Sequence, residues 1–182
     1  MCIRDRVDAI LNENLQGKTL LELGTGSGAI SISIAQENKD CFIFATDISI
    51  KSILVAKQNA AKFCCENIIF LNHDWNNEWL FPQVDYLISN PPYVDKEATS
   101  GKEEGIWHEP EIALFSKDKG LSDLKLILSK GKNFLNENGK VYLEHAPDQY
   151  EELNKFAMEN GYLNFSNLND LNGDKRVSIY QC

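Results

Sequence analysis

The sequence predicts an α/β fold around a mostly parallel β-sheet, with an antiparallel hairpin near the C-terminal end of the chain. From Thr19 onward, short apolar runs alternate with longer mixed segments, and no linker rich in Pro, Gly or Ser separates them. The first four runs are almost entirely apolar, which is typical of buried parallel strands. With 182 residues, 43% of them hydrophobic and 25% charged, the chain has the size and composition of one globular domain.

Seven segments are predicted to form the sheet. Five of them come first in the chain, at Thr19–Leu23, Cys41–Thr46, Asn67–Leu71, Val84–Ser89 and Lys140–Glu144. The last two, Tyr162–Asn167 and Arg176–Tyr180, flank the turn Asn172-Gly173-Asp174. A turn of this composition between two strands predicts an antiparallel hairpin that closes the sheet.

Helices are predicted between the strands. Ser49 is suited to cap the helix after the second strand, because its hydroxyl can accept a backbone N–H of the first turn. The apolar face of that helix is predicted to carry Ile50, Ile53, Leu54 and Ala61. Two further helices are predicted at Leu121–Phe134, with apolar positions Leu124, Ile127, Leu128 and Leu135, and at Gln149–Asn160.

Residues Ile30–Ile34 give a conflicting signal. Ile alternates with Ser at a period of two, which on propensity alone favours a strand. The segment follows a glycine turn, however, and must return the chain to the start of the next parallel strand within about a dozen residues. A helix is therefore predicted here.

Charge and hydropathy exclude several classes of protein. Lys and Arg number 18 and Asp and Glu number 27, a net charge of −9 that does not favour a phosphate backbone. No apolar run approaches the roughly 18 residues of a membrane span, and the N-terminal residues do not resemble a signal peptide. We therefore expect a cytoplasmic protein that binds neither membranes nor, directly, nucleic acid.

The cysteines and histidines do not predict a metal site. The five cysteines are Cys2, Cys41, Cys64, Cys65 and Cys182. They contain no C-x-x-C pair, and the three histidines are too dispersed to be common ligands. Reduced structural thiols are expected, with the vicinal Cys64-Cys65 buried at the end of a helix.

The first chemical motif is a glycine-rich loop directly after the first buried strand. Gly24, Gly26 and Gly28 alternate with Thr25 and Ser27. Glycines here allow a sharp turn and the close approach of a ligand to the backbone. The pattern favours a nucleotide-like cofactor, and the alternative is a tight strand-to-helix turn without a ligand.

Acidic and aromatic residues near the ends of the next two strands indicate which class of cofactor is bound. Asp47 ends the second strand 23 residues after Gly24, where a carboxylate can accept both ribose hydroxyls. Asp74 and Trp75 follow the third strand and are suited to bind and cover an adenine ring, although alone they would be only a loop acid and a packed aromatic. The loop lacks the lysine of a triphosphate site, and its third glycine is one position early for a dinucleotide, which favours S-adenosylmethionine.

The second chemical motif is Asn90-Pro91-Pro92-Tyr93, directly after the fourth strand. Pro91 keeps Asn90 out of the helical conformation, and neither proline has an N–H to bond, so the carbonyls are free to face a substrate. The side-chain oxygen of Asn90 and the carbonyl of Pro91 could then hold an amide or exocyclic amine nitrogen with its lone pair toward a methyl group. Tyr93 can pack against a planar substrate and favour a nearby cation.

With these motifs the sequence resembles the protein-(glutamine-N5) methyltransferases that modify bacterial peptide-chain release factors, a family of class I S-adenosylmethionine-dependent methyltransferases. The similarity runs from Val7 to Tyr180. It includes L-E-L-G-T-G-S-G-A-I, A-T-D-I-S, D-W, S-N-P-P-Y, E-P-E-I-A-L-F, K-G-L, L-E-H and G-D-K-R-V. The resemblance implies a Rossmann-like fold, S-adenosylmethionine as cofactor, and the glutamine of the release-factor G-G-Q tripeptide as substrate.

The resemblance also implies roles for individual residues. Gly24 to Gly28, Asp47 and Trp75 would contact the cofactor, joined by Asp74 and Asn90. Asn90 to Tyr93 would clamp the glutamine amide, with Asn90, Pro91 and Tyr93 as the catalytic residues. No metal is implied, and a monomer is expected.

The chain departs from the family pattern in two places. Family members carry a helical N-terminal domain and an R-P-x-T-E stretch, and Met1–Arg6 matches neither. Residues 1–18 are therefore expected to be a remnant or linker helix before a catalytic domain at 19–182. The second departure is Glu111, where a basic residue is common.

The sequence is also compatible with other functions. N-P-P-Y is shared with methyltransferases that act on amino groups of DNA and RNA, and a ribosomal protein is an alternative glutamine substrate. A cofactor-binding module without catalysis is a further alternative. The stretch Asp95–Glu111 contains six acids and two lysines, and this local charge of −4 would suit a basic protein segment better than a nucleic acid.

Overall fold

The structure is a computed structural model that describes residues 3–95, 115–170 and 172–182. Most of the acidic stretch Asp95–Glu111 lies outside these residues. So do His108, the departure at Glu111 and nearly all of the E-P-E-I-A-L-F motif.

A seven-stranded sheet forms the centre of the fold. Its strands are β1 (Thr19–Leu23), β2 (Phe42–Asp47), β3 (Ile68–Asn72), β4 (Val84–Ser89), β7 (Leu135–Glu144), β8 (Asn164–Asn169) and β9 (Lys175–Gln181). They lie in the order β3-β2-β1-β4-β7-β9-β8. The first five in this order are parallel, whereas β9 runs antiparallel to both β7 and β8. This confirms the predicted α/β fold with its C-terminal hairpin.

Two very short strands form a separate parallel pair that the sequence did not predict. They are β5 (Val94–Asp95) and β6 (Phe115–Ser116). β7 is also longer than predicted, because it begins at Leu135 rather than Lys140.

The described helices cover both faces of the sheet. They are α1 (Ile3–Leu11), α2 (Ala29–Glu37), α3 (Ile50–Lys62), α4 (Ser122–Gly131) and α5 (Tyr150–Glu159), with 3₁₀ turns at Lys132–Phe134 and Pro147–Gln149. Helices α4 and α5 contribute buried Leu and Ile side chains to one face, and α1, α2 and α3 pack on the other. In the part of the chain that the structure describes, no helix is long and apolar enough to cross a bilayer.

Helix α2 confirms the helical prediction for Ile30–Ile34 and explains the alternating pattern. Ile30 and Ile34 belong to the cluster shared with α1, whereas Ile32 packs into the cluster shared with α3. The helix is thus buried on several sides, and Ser31 between the isoleucines is buried as well. Its sequence lacks a polar face, so periodicity alone could not identify it.

Helix α3 begins at its predicted cap, but the predicted apolar face is wrong. The hydroxyl of Ser49 accepts the N–H of Ser52 at 3.2 Å. Of the four predicted residues, only Ile53 is buried, while Ile50, Leu54 and Ala61 are exposed. The buried side consists of Ile53, Ala56 and Ala60. The small side chain of Ala56 lets the helix approach the glycine loop closely. A Cβ on Gly28 would lie 3.1 Å from that of Ala56.

The expected burial of the vicinal cysteines is also wrong. Cys64 is exposed and Cys65 is only half-buried. Cys64 adopts a positive φ of 51° just after α3 ends, and this turn directs its side chain away from the core.

Residues 10–15 pack against α2 and one face of the sheet. Ile10 and Leu15 are fully buried in the cluster with α2 and β1. Glu13 accepts hydrogen bonds from Lys140 at 2.6 Å and Tyr142 at 2.8 Å. Burial alone would raise the pKa of Glu13, but these hydrogen bonds lower it below its ordinary value.

The strand register brings the predicted site residues to one edge of the sheet. Leu23 is level with Thr46 on one side and with Ser89 on the other. Gly24 and Asn90, which follow β1 and β4, therefore lie beside Asp47, the last residue of β2, where the strand order reverses. Ligands of open α/β sheets bind at such a position.

Candidate active site

The glycine loop turns the chain from β1 into α2 through three left-handed residues. Gly24, Gly26 and Gly28 have φ values of 74°, 57° and 83°, which side chains with a Cβ rarely adopt. The N–H of Thr25 bonds to the carbonyl of Thr46 at 2.8 Å, so the loop is tied to β2. The alternate spacing of the glycines therefore follows from the backbone conformation.

Glu22 holds this loop from inside the protein. Its buried carboxylate accepts the hydroxyl of Thr25 at 2.7 Å, the N–H of Ser31 at 3.3 Å and the hydroxyl of Ser31. Burial raises the pKa of Glu22 above its ordinary value. Glu22 is not among the residues predicted from the sequence, although an acid within the apolar run L-L-E-L-G signals a buried partner.

The raised pKa of Glu22 predicts a dependence of stability on pH. Because the folded protein favours the protonated form, this residue stabilises the fold most below the ordinary pKa of 4.5 and less as pH rises through the raised value. Between the two values the loss is about 1.4 kcal/mol per pH unit. Glu22→Gln, which is neutral at every pH, should show a shallower decline of Tm in this range. Parallel Tm curves for the two proteins would contradict the prediction.

Asp47 lies between the glycine loop and α3. One carboxylate oxygen accepts the N–H of Gly26 at 2.9 Å, and the other accepts the N–H of Ser49 at 2.8 Å. Each oxygen has a second lone pair, so the carboxylate can still accept two hydroxyl groups. Asp47 is only half-buried, so part of its side chain is accessible.

Trp75 covers the start of the glycine loop. A Cβ on Gly24 would lie 3.3 Å from the Trp75 ring and 3.9 Å from the carbonyl of Asn90. The indole N–H donates to the carboxylate of Asp123 in α4 at 3.0 Å, which fixes the ring orientation. The loop after β3, the glycine loop and the segment after β4 thus meet at Gly24.

The turn that contains Trp75 is held by hydrogen bonds from α4. The ammonium group of Lys130 donates to the carbonyls of Trp75, Asn76 and Asn77 at 2.9 to 3.0 Å. Asp74 bonds within the same turn to the backbone and the side chain of Asn76, at 2.9 and 2.8 Å. Asp74 therefore shapes the turn in this structure.

The Asn90-Pro91-Pro92-Tyr93 segment emerges from β4 beside the glycine loop. The hydroxyl of Ser89 donates to the carbonyl of Leu23 at 2.9 Å and joins the ends of the two strands. Asn90 is exposed, whereas Pro91 and Pro92 are buried beneath it. The buried prolines fix the backbone while the amide of Asn90 stays accessible.

Tyr93 is held by the end of β7. Its hydroxyl donates to Glu144 at 3.0 Å, and Glu144 also pairs with Arg6 at 2.6 Å. The guanidinium of Arg176 lies 5.8 Å from the centre of the Tyr93 ring. Burial, followed by the nearby charge of Glu144, raises the pKa of Tyr93 to about 12, so the phenol is protonated at neutral pH.

The structure brings the predicted site residues together at the carboxyl ends of β1 to β4. The residues that sequence reasoning missed are Glu22, Asp123, Lys130 and Gln149, which hold the site from other elements. Within residues 3–95, 115–170 and 172–182, no three His, Cys, Asp or Glu side chains are grouped to hold a metal ion.

Known proteins resemble the chain in both sequence and structure. A "Bifunctional methyltransferase" of Rickettsia bellii (strain RML369-C) is 36% identical over 96% of the chain, which spans 32% of that protein. A "Release factor glutamine methyltransferase" of Escherichia coli (strain K12) is 32% identical over 98% of the chain, which spans 64% of it. A crystal structure of a methyltransferase from Pyrococcus furiosus shares the fold with a TM-score of 0.73 at 18% identity, covering 100% of the chain and 83% of that structure.

A family model gives the broader assignment. The model described as methyltransferase small domain matches residues 5–109, which is more than half of the chain and includes the glycine loop, Asp47, Trp75 and Asn90-Pro91-Pro92-Tyr93. The chain belongs to the methyltransferase small domain family.

Proposed function

We propose that this chain transfers the methyl group of S-adenosylmethionine to the side-chain amide nitrogen of the glutamine in the G-G-Q motif of peptide-chain release factors. The observation that carries the proposal is the position of Asn90 and Pro91 at the end of β4, beside the glycine loop. The similarity to the Escherichia coli protein over 98% of the chain supports glutamine as the methylated residue.

The residues around the glycine loop fit the cofactor. A Cβ on Gly26 would meet nothing within 4 Å, so the backbone there is open to a ligand. Asp47 retains the lone pairs needed for a ribose diol, and Trp75 presents an aromatic surface next to Gly24 for the adenine. S-adenosylmethionine supplies an electrophilic methyl group on a sulfonium centre.

The Asn90-Pro91 pair would hold the glutamine amide. An amide nitrogen is a poor nucleophile, because its lone pair is delocalised into the carbonyl. If the side-chain oxygen of Asn90 and the carbonyl of Pro91 each accept one N–H, the nitrogen is fixed with its lone pair toward the methyl group. The chain would thus contribute position. As the new C–N bond forms, the C–S bond of the sulfonium would break to leave a neutral thioether, and the proton would pass from the methylated nitrogen to water.

Tyr93 would act as a packing surface rather than as a base. Its hydroxyl already donates to Glu144, and its pKa of about 12 keeps the proton on the phenol. The accessible part of this half-buried ring would pack against the planar amide and stabilise positive charge nearby.

The catalytic domain is proposed at residues 19–182, with residues 1–18 leading into it. The net charge of −9 favours a protein substrate over a nucleic acid. The proposed clamp at Asn90–Tyr93 follows β4 and lies beside the glycine loop after β1, within this proposed domain.

The proposal is tested by incubating the chain with methyl-labelled S-adenosylmethionine and three substrates. These are a purified release factor, the same factor with the G-G-Q glutamine changed to alanine, and duplex DNA. Label is expected in the first only. Label that survives the glutamine substitution, or that appears in DNA, would overturn the proposed substrate.

A further inference from the structure

Gln149 is hydrogen-bonded to three segments of the chain, one of which is Asn90–Tyr93, the proposed substrate clamp. It lies in the 3₁₀ turn after β7 and is only 6% exposed. Its amide nitrogen donates to the carbonyls of Tyr93 at 2.9 Å and Lys119 at 3.0 Å. Its amide oxygen accepts the N–H of Ala146 at 2.9 Å. Both hydrogens and the oxygen of this side chain are therefore used.

The contact with Tyr93 fixes the end of the clamp. Pro91 and Pro92 have no N–H, so this segment has few backbone donors with which to anchor itself. Tyr93 compensates through two contacts, because its carbonyl accepts from Gln149 in the turn after β7 and its hydroxyl donates to Glu144 at the end of β7. The main chain and the ring of Tyr93 are thus both held, by β7 and by the turn that follows it.

The backbone of Gly120 packs tightly against the hydrogen bond between Gln149 and Tyr93. It has a φ of 82°, and a Cβ there would collide with the carbonyl of Tyr93 and lie 2.6 Å from the Gln149 amide nitrogen. Only glycine fits at this position without moving the clamp or the glutamine. The Lys119–Gly120 turn therefore closes directly onto both residues.

We propose that Gln149 is a positioning residue for methyl transfer, which sets the Asn90–Tyr93 clamp by holding the carbonyl of Tyr93. The inference rests on the proposed function and adds a residue 56 positions along the chain from the clamp. Because transfer needs the acceptor nitrogen in line with the methyl group, a displacement of about 1 Å at the clamp would lower the rate on the order of 100-fold.

The decisive variant is Gln149→Leu, which has similar volume but neither donates nor accepts hydrogen bonds. We expect kcat to fall by about 30- to 100-fold, with the Kd for S-adenosylmethionine within about twofold of the wild-type value. Hydrogen exchange of the peptide that contains residues 90–95 should become faster, whereas exchange in β1 should not change. Wild-type kcat, or unchanged exchange in the clamp, would overturn the proposal.

Asn67→Leu is the matched control. The amide nitrogen of Asn67 also donates to two carbonyls, those of Asn38 at 3.1 Å and Cys41 at 3.0 Å, but at the opposite end of the sheet. This variant should lower Tm and leave kcat unchanged. If both variants lower Tm and kcat alike, Gln149 has only a structural role and the proposal fails.

Gln149→Glu provides a second variant if the leucine protein does not fold. Glutamate keeps an acceptor for Ala146, but when ionised it cannot donate to the carbonyl of Tyr93, and when protonated it can. The ratio of its kcat to that of the wild type should rise as pH is lowered. A ratio that does not depend on pH would contradict a positioning role.

The two proposals can fail separately. If the wild-type chain does not methylate a release factor, the proposed substrate is wrong. The hydrogen-exchange measurement needs no substrate, so it still decides whether Gln149 holds the clamp.

Discussion

Asn90→Ala is expected to lower kcat for methyl transfer by on the order of 10³-fold, while the Kd for S-adenosylmethionine stays within about threefold of the wild-type value. The substitution removes one of the two acceptors that would orient the glutamine amide, and the carbonyl of Pro91 alone leaves the nitrogen free to rotate. Asn90 is exposed, so Tm should not change. Rates under saturating cofactor, together with calorimetric binding, measure both quantities.

Asn90→Asp tests whether the hydrogen-bond acceptor of this side chain is what orients the glutamine amide. Aspartate retains an oxygen that accepts an amide N–H, and we expect it to lose only about 10-fold in kcat, much less than alanine. Equal losses for the two variants would show that hydrogen bonding by Asn90 is not what matters. Unchanged transfer by Asn90→Ala would remove Asn90 from the clamp altogether.

Asp47→Ala is expected to weaken S-adenosylmethionine binding by about 100-fold, or about 3 kcal/mol. The carboxylate would accept the ribose hydroxyls through charge-assisted hydrogen bonds, and it also orients the glycine loop through the N–H of Gly26. Loss of the carboxylate therefore removes ligand contacts and loosens the loop that surrounds them. Isothermal titration with the cofactor measures the change directly.

Asp40→Ala is the control for this change in charge. Asp40 is exposed and precedes the opposite end of the same strand, β2. The Asp40→Ala variant should bind S-adenosylmethionine with the same Kd as the wild type. If both variants bind equally well, Asp47 does not contact the ribose.

Each predicted site residue follows an apolar strand, and this is why the sequence could locate them. A buried parallel strand fixes the direction of its chain, so residues at the carboxyl ends of neighbouring parallel strands, such as Gly24, Asp47 and Asn90, lie at one edge of the sheet. The register of β1 with β2 and β4 places them there. Motifs that are local in the chain were therefore sufficient to identify residues that lie together at this edge.

The residues that hold the site could not be found in the same way. Gln149 contacts a residue 56 positions away, and Asp123 contacts the Trp75 indole across 48 positions. Neither contact leaves a local pattern, because one polar side chain on a turn or helix looks the same whether it faces solvent or a partner. Only packing of α4 and of the segment after β7 onto the sheet creates these contacts.

Helix α3 shows a second limit of sequence patterns. Its largest apolar residues suggested the buried face, yet Ala56 and Ala60 pack inward and Leu54 is 54% exposed. Close approach to Gly28 favours small side chains at that interface, and dense packing outweighs the burial of a single leucine. Hydrophobicity alone does not carry this information.

The most direct test is to locate the transferred methyl group by tandem mass spectrometry of a release factor treated with this chain and S-adenosylmethionine. We expect a single added methyl group on the side-chain nitrogen of the G-G-Q glutamine, and none when Asn90→Ala replaces the wild type. A methyl group on any other residue, or the same modification with Asn90→Ala, would contradict the proposed glutamine clamp.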